Sequence, residues 1–164
     1  MARLLIALLA VGLIAAACHR APAGGGAGGQ AGQGSLTVTD AYAPEPVGDE
    51  TAAVYLTVRN GTAAPDTLTG AASPIATTAG LHQQMTMGGM SHMMRAGSIA
   101  VPPGGELRLE PGGTHLMLDG LIRRPRIGDT IDVTLTFSRA GPIGVRVPVI
   151  AYAEVSDRAT RPRR

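Results

Sequence analysis

The sequence predicts an all-β fold, an antiparallel β-sandwich or barrel, and three observations support this prediction. Several short runs alternate apolar and polar side chains and are rich in Val, Ile and Thr, as half-buried strands are. The 23 Gly and 12 Pro residues place turns between these runs. No stretch has the 3.6-residue period of an amphipathic helix. Short strands separated by turns at regular intervals are typical of sandwiches and barrels.

The clearest strands are residues 51–59, which end at the turn dipeptide Asn60-Gly61, and residues 130–137, which alternate over their full length. Gly88-Gly89 marks a hairpin-like loop, and we place Met93 in the loop segment after it. The predicted strands are residues 36–39, 51–59, 66–72, 79–85, 98–101, 106–109, 114–118, 130–137 and 145–151.

The N-terminus has the pattern of an export signal. Met1-Ala-Arg3 is a short positive segment, and the 11 apolar residues from Leu4 to Ile14 are too few to span a bilayer. Small residues then precede Cys18, the single cysteine. We interpret residues 1–17 as a lipoprotein signal and Cys18 as the acylated residue, although Ala15 stands where Leu is usual. Ordinary cleavage at Ala15-x-Ala17 is the alternative, and both predict a protein outside the cytoplasm.

Composition divides the rest of the chain into three parts. Residues 18–34 are rich in Gly, Ala and Gln and are predicted to be a flexible tether. Residues 35–152 contain all predicted strands, and residues 153–164 are predicted to be a disordered, Arg-rich tail. The 14 basic residues, all Arg, against 12 acidic residues give a net charge of +2, which does not indicate a nucleic-acid partner.

Potential metal ligands are concentrated between residues 82 and 117. Six of the seven methionines and three of the four histidines lie in this window. Thioether and imidazole are neutral ligands, and soft sulfur selects Cu(I) over hard divalent cations. Thioethers also suit an oxidising compartment, where thiolates form disulfides. The window therefore predicts a Cu(I) site.

Strand alternation predicts which of these ligands lie on the same face of the sheet. On one strand, His115 and Met117 project from the same face, while the neighbouring leucines project from the other. His82, on an adjacent strand, adds a second imidazole, and Met93 can supply the fourth ligand. Two imidazoles and two thioethers suit Cu(I), and protonation of either histidine in acid would weaken binding.

The spacing resembles that of the PCu(A)C copper chaperone family: a His, ten residues, a Met, twenty-one residues, then His-x-Met, here His82, Met93, His115 and Met117. The local sequence also resembles that family at residues 109–121, 53–58 and 134–137. The resemblance covers about residues 36–151. It implies a cupredoxin-like Greek-key sandwich that binds Cu(I). It also implies delivery to the CuA centre of cytochrome c oxidase, either to subunit II directly or through a thiol-bearing assembly protein.

The chain departs from the family in additional ligands within the Met-rich stretch. These are Met85, Met87, Met90, His92 and Met94. They could bind a second copper ion or pass copper to the first site. Met94 or Met90 could also replace Met93 as a ligand. Local flexibility with incidental apolar contacts is the alternative interpretation.

Other classes of protein fit the sequence less well. The histidines and scattered carboxylates form no catalytic triad and no HExxH motif, so we do not predict an enzyme. A blue-copper carrier needs a Cys thiolate, and residues 35–152 contain none. A purely structural lipoprotein would not bind metal. A copper buffer without a delivery partner is the nearest alternative to a chaperone.

Overall fold

The computed structural model describes residues 35–160, and these form ten strands and one short helix. The predicted signal, Cys18 and the tether lie outside the described residues. The elements are β1 Leu36–Pro44, β2 Thr51–Asn60, β3 Asp66–Ala72, β4 Ala76–Met87, β5 Met90–Ala96, β6 Ile99–Val101, β7 Glu106–Leu109, β8 Thr114–Leu121, β9 Thr130–Phe137, β10 Gly141–Ile150 and α1 Glu154–Thr160. The all-β prediction is confirmed.

The strands form a continuous ladder in the order β5-β4-β8-β2-β1-β10-β9-β3-β6, with β7 also paired to β2. All strand pairs in this described part are antiparallel except β1 and β10, which run parallel over Ala43–Val149 and Pro44–Ile150. Side chains from both ends of the ladder, among them Leu68, Leu116 and Leu135, belong to one buried cluster. The ladder therefore folds over itself and encloses the core.

Strand alternation accounts for this core. On β9, the residues Ile131, Val133, Leu135 and Phe137 are buried, and those between them are exposed. Each buried Leu or Ile side chain contributes about 1.5–3 kcal/mol relative to an exposed one. The alternation read from the sequence is therefore the pattern that assembles the fold.

The β4–β5 hairpin corrects one prediction. Gly88 and Gly89 have φ angles of 60° and 80°, which fit a two-residue type I′ turn, and Met87 pairs with Met90 across it. The sequence predicts the turn but places the residues after it in a loop. They form strand β5, so Met93 lies on a strand. The turn conformation brings the two strands into register and thereby extends the sheet at its edge.

The C-terminal segment corrects another prediction. The sequence predicts disorder over residues 153–164, yet Glu154–Thr160 forms helix α1, while residues 161–164 lie outside the described residues. The Glu154 carboxylate accepts a hydrogen bond from the Ala151 backbone N–H at 3.3 Å, as in a capping box. The Arg158 guanidinium lies 5.3 Å from the centroid of the Tyr42 ring. Tertiary contact with β1 stabilises a helix too short to form alone. Within residues 35–160, no helix is long and apolar enough to cross a membrane.

Asp66 joins the start of β3 to the turn between β9 and β10. Its carboxylate accepts hydrogen bonds from the Ser138 hydroxyl and from the backbone N–H groups of Thr67, Arg139 and Ala140, each at 2.7–2.9 Å. Burial alone would raise the pKa of this carboxyl, but the four hydrogen bonds outweigh it and lower the pKa to about 2. Asp66 is therefore charged in the folded protein at neutral pH.

Replacing Asp66 with Asn is expected to lower the free energy of unfolding at pH 7 by about 2 kcal/mol, because several hydrogen bonds to a charged acceptor are lost or weakened. The folded-state pKa lies below the unfolded value of about 4, so this stabilisation is present above pH 4 and is lost as the pH falls toward 2. Urea unfolding from pH 7 to pH 2 measures it. The gap between wild type and Asp66→Asn should close over that range, whereas the exposed Asp132→Asn should match wild type at pH 7. A gap that persists at pH 2 would contradict the assignment.

Candidate metal centre

The two histidines of the predicted site face each other across neighbouring strands. His82 on β4 pairs directly with His115 on β8. In an antiparallel pair, directly opposed side chains lie on the same face of the sheet. The ring centroids are 6.1 Å apart, and the ring planes are inclined by 28°. The structure therefore brings the two predicted imidazoles side by side.

His115 is held in place by its neighbours. Its side chain is buried, at 5% exposure, and its Nδ1 lies 3.1 Å from the Gly113 carbonyl oxygen. Because a carbonyl only accepts a hydrogen bond, this contact requires the proton on Nδ1, which leaves the Nε2 lone pair for a metal. Leu116 and Leu118, on the opposite face of β8, are fully buried in the core. The strand is thus anchored on one side and offers ligands on the other.

Met117 shares the face of His115 and stands opposite Gly80 on β4. Gly80 has no side chain to fill the space beside the thioether. A Cβ built there would lie 3.4 Å from His82 Nε2 and 3.2 Å from Arg95 Nη2. The site face thus has a recess at Gly80, with His82 on one side and Met117 opposite in register. We name the surface that carries the four ligands predicted from the sequence, His82, Met93, His115 and Met117, the copper face, after the ion predicted for it.

Register also places Met93 on the copper face. Met93 pairs with Gln84, which lies two residues beyond His82 on the same side of β4. Met93 is 56% exposed, so it borders solvent at the rim of the site. Met90 and Met94, the alternatives that the sequence leaves open, lie three residues and one residue away from Met93, respectively, and therefore occupy the other face.

The remaining candidate ligands do not join the copper face. Met85 pairs with His92, and both follow the alternation of Leu81, whose side chain points into the core. Met87 pairs with Met90 at the turn. The structure thus sorts the ligands of the Met-rich stretch by strand face, with Met93 on the copper face and Met85, Met90, His92 and Met94 on the other.

Two residues near the site were not identified from the sequence. Arg95 pairs with His82, and its guanidinium lies over the Gly80 recess. The Tyr55 ring centroid is 6.4 Å from that of His115. Burial is the main cause that raises the pKa of Tyr55, and the nearby Tyr42 and Tyr152 hydroxyls raise it further. Tyr55 therefore lines the site as a neutral side chain. The register of β4 and β5 reveals Arg95, and the ring contact with His115 reveals Tyr55.

The chemistry of the site depends on sulfur. Among residues 35–160, no three His, Cys, Asp or Glu side chains come together as a metal-binding group. The copper face offers two imidazoles and two thioethers, all neutral and with no carboxylate among them. Such a set favours a soft monovalent ion over Mg²⁺ or Ca²⁺, which prefer oxygen ligands.

Similar proteins share this fold. The chain matches the copper-bound PCuAC domain from PmoF2 with a TM-score of 0.60 and 25% identity, covering 71% of this chain and 92% of that domain. It matches the solution structure of CuI-DR1885 from Deinococcus radiodurans with a TM-score of 0.55 and 32% identity, covering 71% of this chain and 77% of that one. The ladder and these matches define a cupredoxin-like domain of the PCuAC type, as the sequence resemblance predicted.

Sequence comparison places the chain more narrowly. The family described as "Putative lipoprotein LpqE-like" matches residues 36–149, and the chain belongs to this LpqE-like family. A curated relative, "Putative lipoprotein Lxx21020" from Leifsonia xyli subsp. xyli (strain CTCB07), is 34% identical over 153 residues, which cover 93% of this chain and 90% of the relative.

Proposed function

We propose that the protein is an extracytoplasmic Cu(I) chaperone that binds its cargo on the copper face. The observation that carries this proposal is the direct pairing of His82 with His115, beside Met117, which stands opposite Gly80. Two of the similar solved structures are described as copper-bound or CuI forms, which supports the same cargo here. Met93 would complete a set of two nitrogen and two sulfur ligands.

The arrangement suits a protein that releases its metal. Neutral ligands give no charge attraction beyond the coordinate bonds, and no thiolate is involved. Met93 is the most exposed of the four proposed ligands, so an incoming ligand from an acceptor would displace it first. The buried, hydrogen-bonded His115 would leave last.

The proposed acceptor is the CuA centre of cytochrome c oxidase, reached through subunit II or a thiol-bearing assembly protein. We further propose that Cys18 is acylated and that residues 18–34 tether the domain to the outer side of the cytoplasmic membrane. The lipoprotein description of the family and of the relative supports this anchor. Cys18→Ser should then move the protein from the membrane fraction to the soluble fraction on cell fractionation. Unchanged membrane association would contradict acylation.

Copper transfer is tested by mixing the Cu(I)-loaded protein anaerobically with the apo CuA domain of subunit II, or with the thiol-bearing assembly protein. The two proteins are then separated and their copper is measured. The control is Cu(I) held by a chelator of matched affinity. A chaperone transfers copper to an acceptor faster than the chelator releases it. Equal rates would contradict directed delivery.

A periplasmic copper buffer is the second candidate. The exposed ligands outside the copper face favour it, because they add binding capacity without a role in the first site. In the transfer experiment, a buffer would bind copper but would not exceed the chelator control with any acceptor.

A further inference from the structure

The β4–β5 hairpin carries a second group of soft ligands on the face opposite the copper face. Met85 pairs directly with His92, and Gln83 pairs with Met94. Met90, two residues before His92, continues the same row. We name the surface formed by Met85, Met90, His92 and Met94 the rear hairpin face.

The rear hairpin face is not covered by the core, because the β4–β5 hairpin extends beyond the end of β8. Pairing of β4 with β8 ends at Gln83–Thr114. Leu81, on the same face as Met85, is 3% exposed, whereas Met85 is 42% exposed. Met90 and Met94 are 66% and 56% exposed. The rear hairpin face therefore contributes little to the buried core and is open to solvent.

Core packing does not account for these side chains. Exposed apolar groups on an edge strand favour aggregation, and β5 is the edge of the ladder. On the opposite face of the hairpin end, polar side chains pair across the two strands, and Gln84 donates a hydrogen bond to the Ser91 hydroxyl at 2.7 Å. Three thioethers and an imidazole on the rear hairpin face thus suggest a function.

We propose that the rear hairpin face binds a second soft monovalent metal ion, Cu(I) or Ag(I). Directly opposed side chains such as Met85 and His92 have Cβ atoms about 5 Å apart, and residues two apart on a strand are separated by about 7 Å. Long, flexible methionine side chains can span these distances around one ion. The face contains no carboxylate, so it does not favour hard divalent cations.

The second site is distinct from the copper face. Met93 and Met94 are neighbours on β5, yet alternation sends them to opposite sides of the strand. One ion on each face would therefore share no ligand. This inference does not require the proposed chaperone function, because it rests only on the hairpin.

The test is an anaerobic Ag(I) and Cu(I) titration of the full chain carrying Cys18→Ser, which removes the competing thiol. Methionine methyl groups labelled with ¹³C are followed by NMR and assigned by single Met→Leu substitutions. We expect two equivalents to bind. The methyl signals of Met85 and Met94 should shift together, separately from those of Met93 and Met117.

Two variants separate this inference from the proposed function. The Met85→Leu/His92→Gln/Met94→Leu variant should lose one equivalent and keep the Met93 and Met117 shifts. Its substitutions are at exposed positions, and an unchanged thermal unfolding temperature checks the fold. The His115→Ala/Met117→Leu variant should lose the other equivalent and keep the Met85 and Met94 shifts.

The outcomes are distinguishable. A stoichiometry of one, with the Met85 and Met94 methyl signals unmoved or moving together with Met117, would overturn the second site and leave the copper face intact. Unmoved Met93 and Met117 signals alongside shifted Met85 and Met94 would support the second site and contradict the proposed copper face.

Discussion

His115→Ala is expected to lower the affinity of the copper face for Cu(I) by at least about 100-fold, since even groups that only orient a ligand cost about 10–100-fold when removed. His115 faces His82, and its hydrogen bond to Gly113 directs Nε2 toward the site. Its loss removes one of two imidazoles and the best-positioned ligand. Competition with a Cu(I) chelator under anaerobic conditions, followed at the Met93 methyl signal so that only the copper face is reported, measures the change.

His92→Ala is the matched control, because it removes an imidazole from the same sheet but from the rear hairpin face. It should leave the affinity of the copper face within about twofold of wild type. Met117→Leu keeps the side-chain volume and removes only the sulfur, so it should also weaken binding strongly. Wild-type affinity in His115→Ala or in Met117→Leu would rule out the assigned ligands.

Leu116→Ala is expected to lower the free energy of unfolding by about 3–4 kcal/mol, as large-to-small changes in a packed core do. Leu116 is fully buried and pairs with Leu81 on β4 and Val54 on β2, directly beneath the copper face. Chemical denaturation of the metal-free protein measures the loss.

Ile122→Ala is the control for the Leu116 prediction, since Ile122 is 74% exposed and its truncation should cost less than about 0.5 kcal/mol. His115→Ala should destabilise the metal-free protein less than Leu116→Ala does. Equal destabilisation by Leu116→Ala and Ile122→Ala would mean that β8 does not face the core as described.

The strands of the core could be predicted because their periodicity records which face is buried. On β9 every second residue is apolar and buried, so sequence and structure carry the same pattern. Strand β5 could not be predicted in this way. Its segment Met90–Ala96 is exposed at nearly every position, and an edge strand without a buried face leaves no alternation to read. Helix α1 was missed because its contact with Tyr42 is tertiary.

The candidate ligands and the shared face of His115 and Met117 could be predicted, but the register between the strands could not. The spacing of His82, Met93, His115 and Met117 predicts these four residues as ligands, while the sequence leaves Met90 and Met94 as alternatives to Met93. Only the register of β4 and β5 separates them, because a shift of one residue exchanges the two faces of a strand. The Gly80 recess and Arg95 depend on the same register.

The most direct measurement is the copper K-edge X-ray absorption spectrum of the protein loaded with one equivalent of Cu(I). The Cys18→Ser/Met85→Leu/His92→Gln/Met94→Leu variant should be used, so that only the copper face remains to bind the ion. The account predicts that the inner coordination shell of copper contains the two thioether sulfurs and two imidazole nitrogens. An inner shell without sulfur, or with no imidazole, would contradict it.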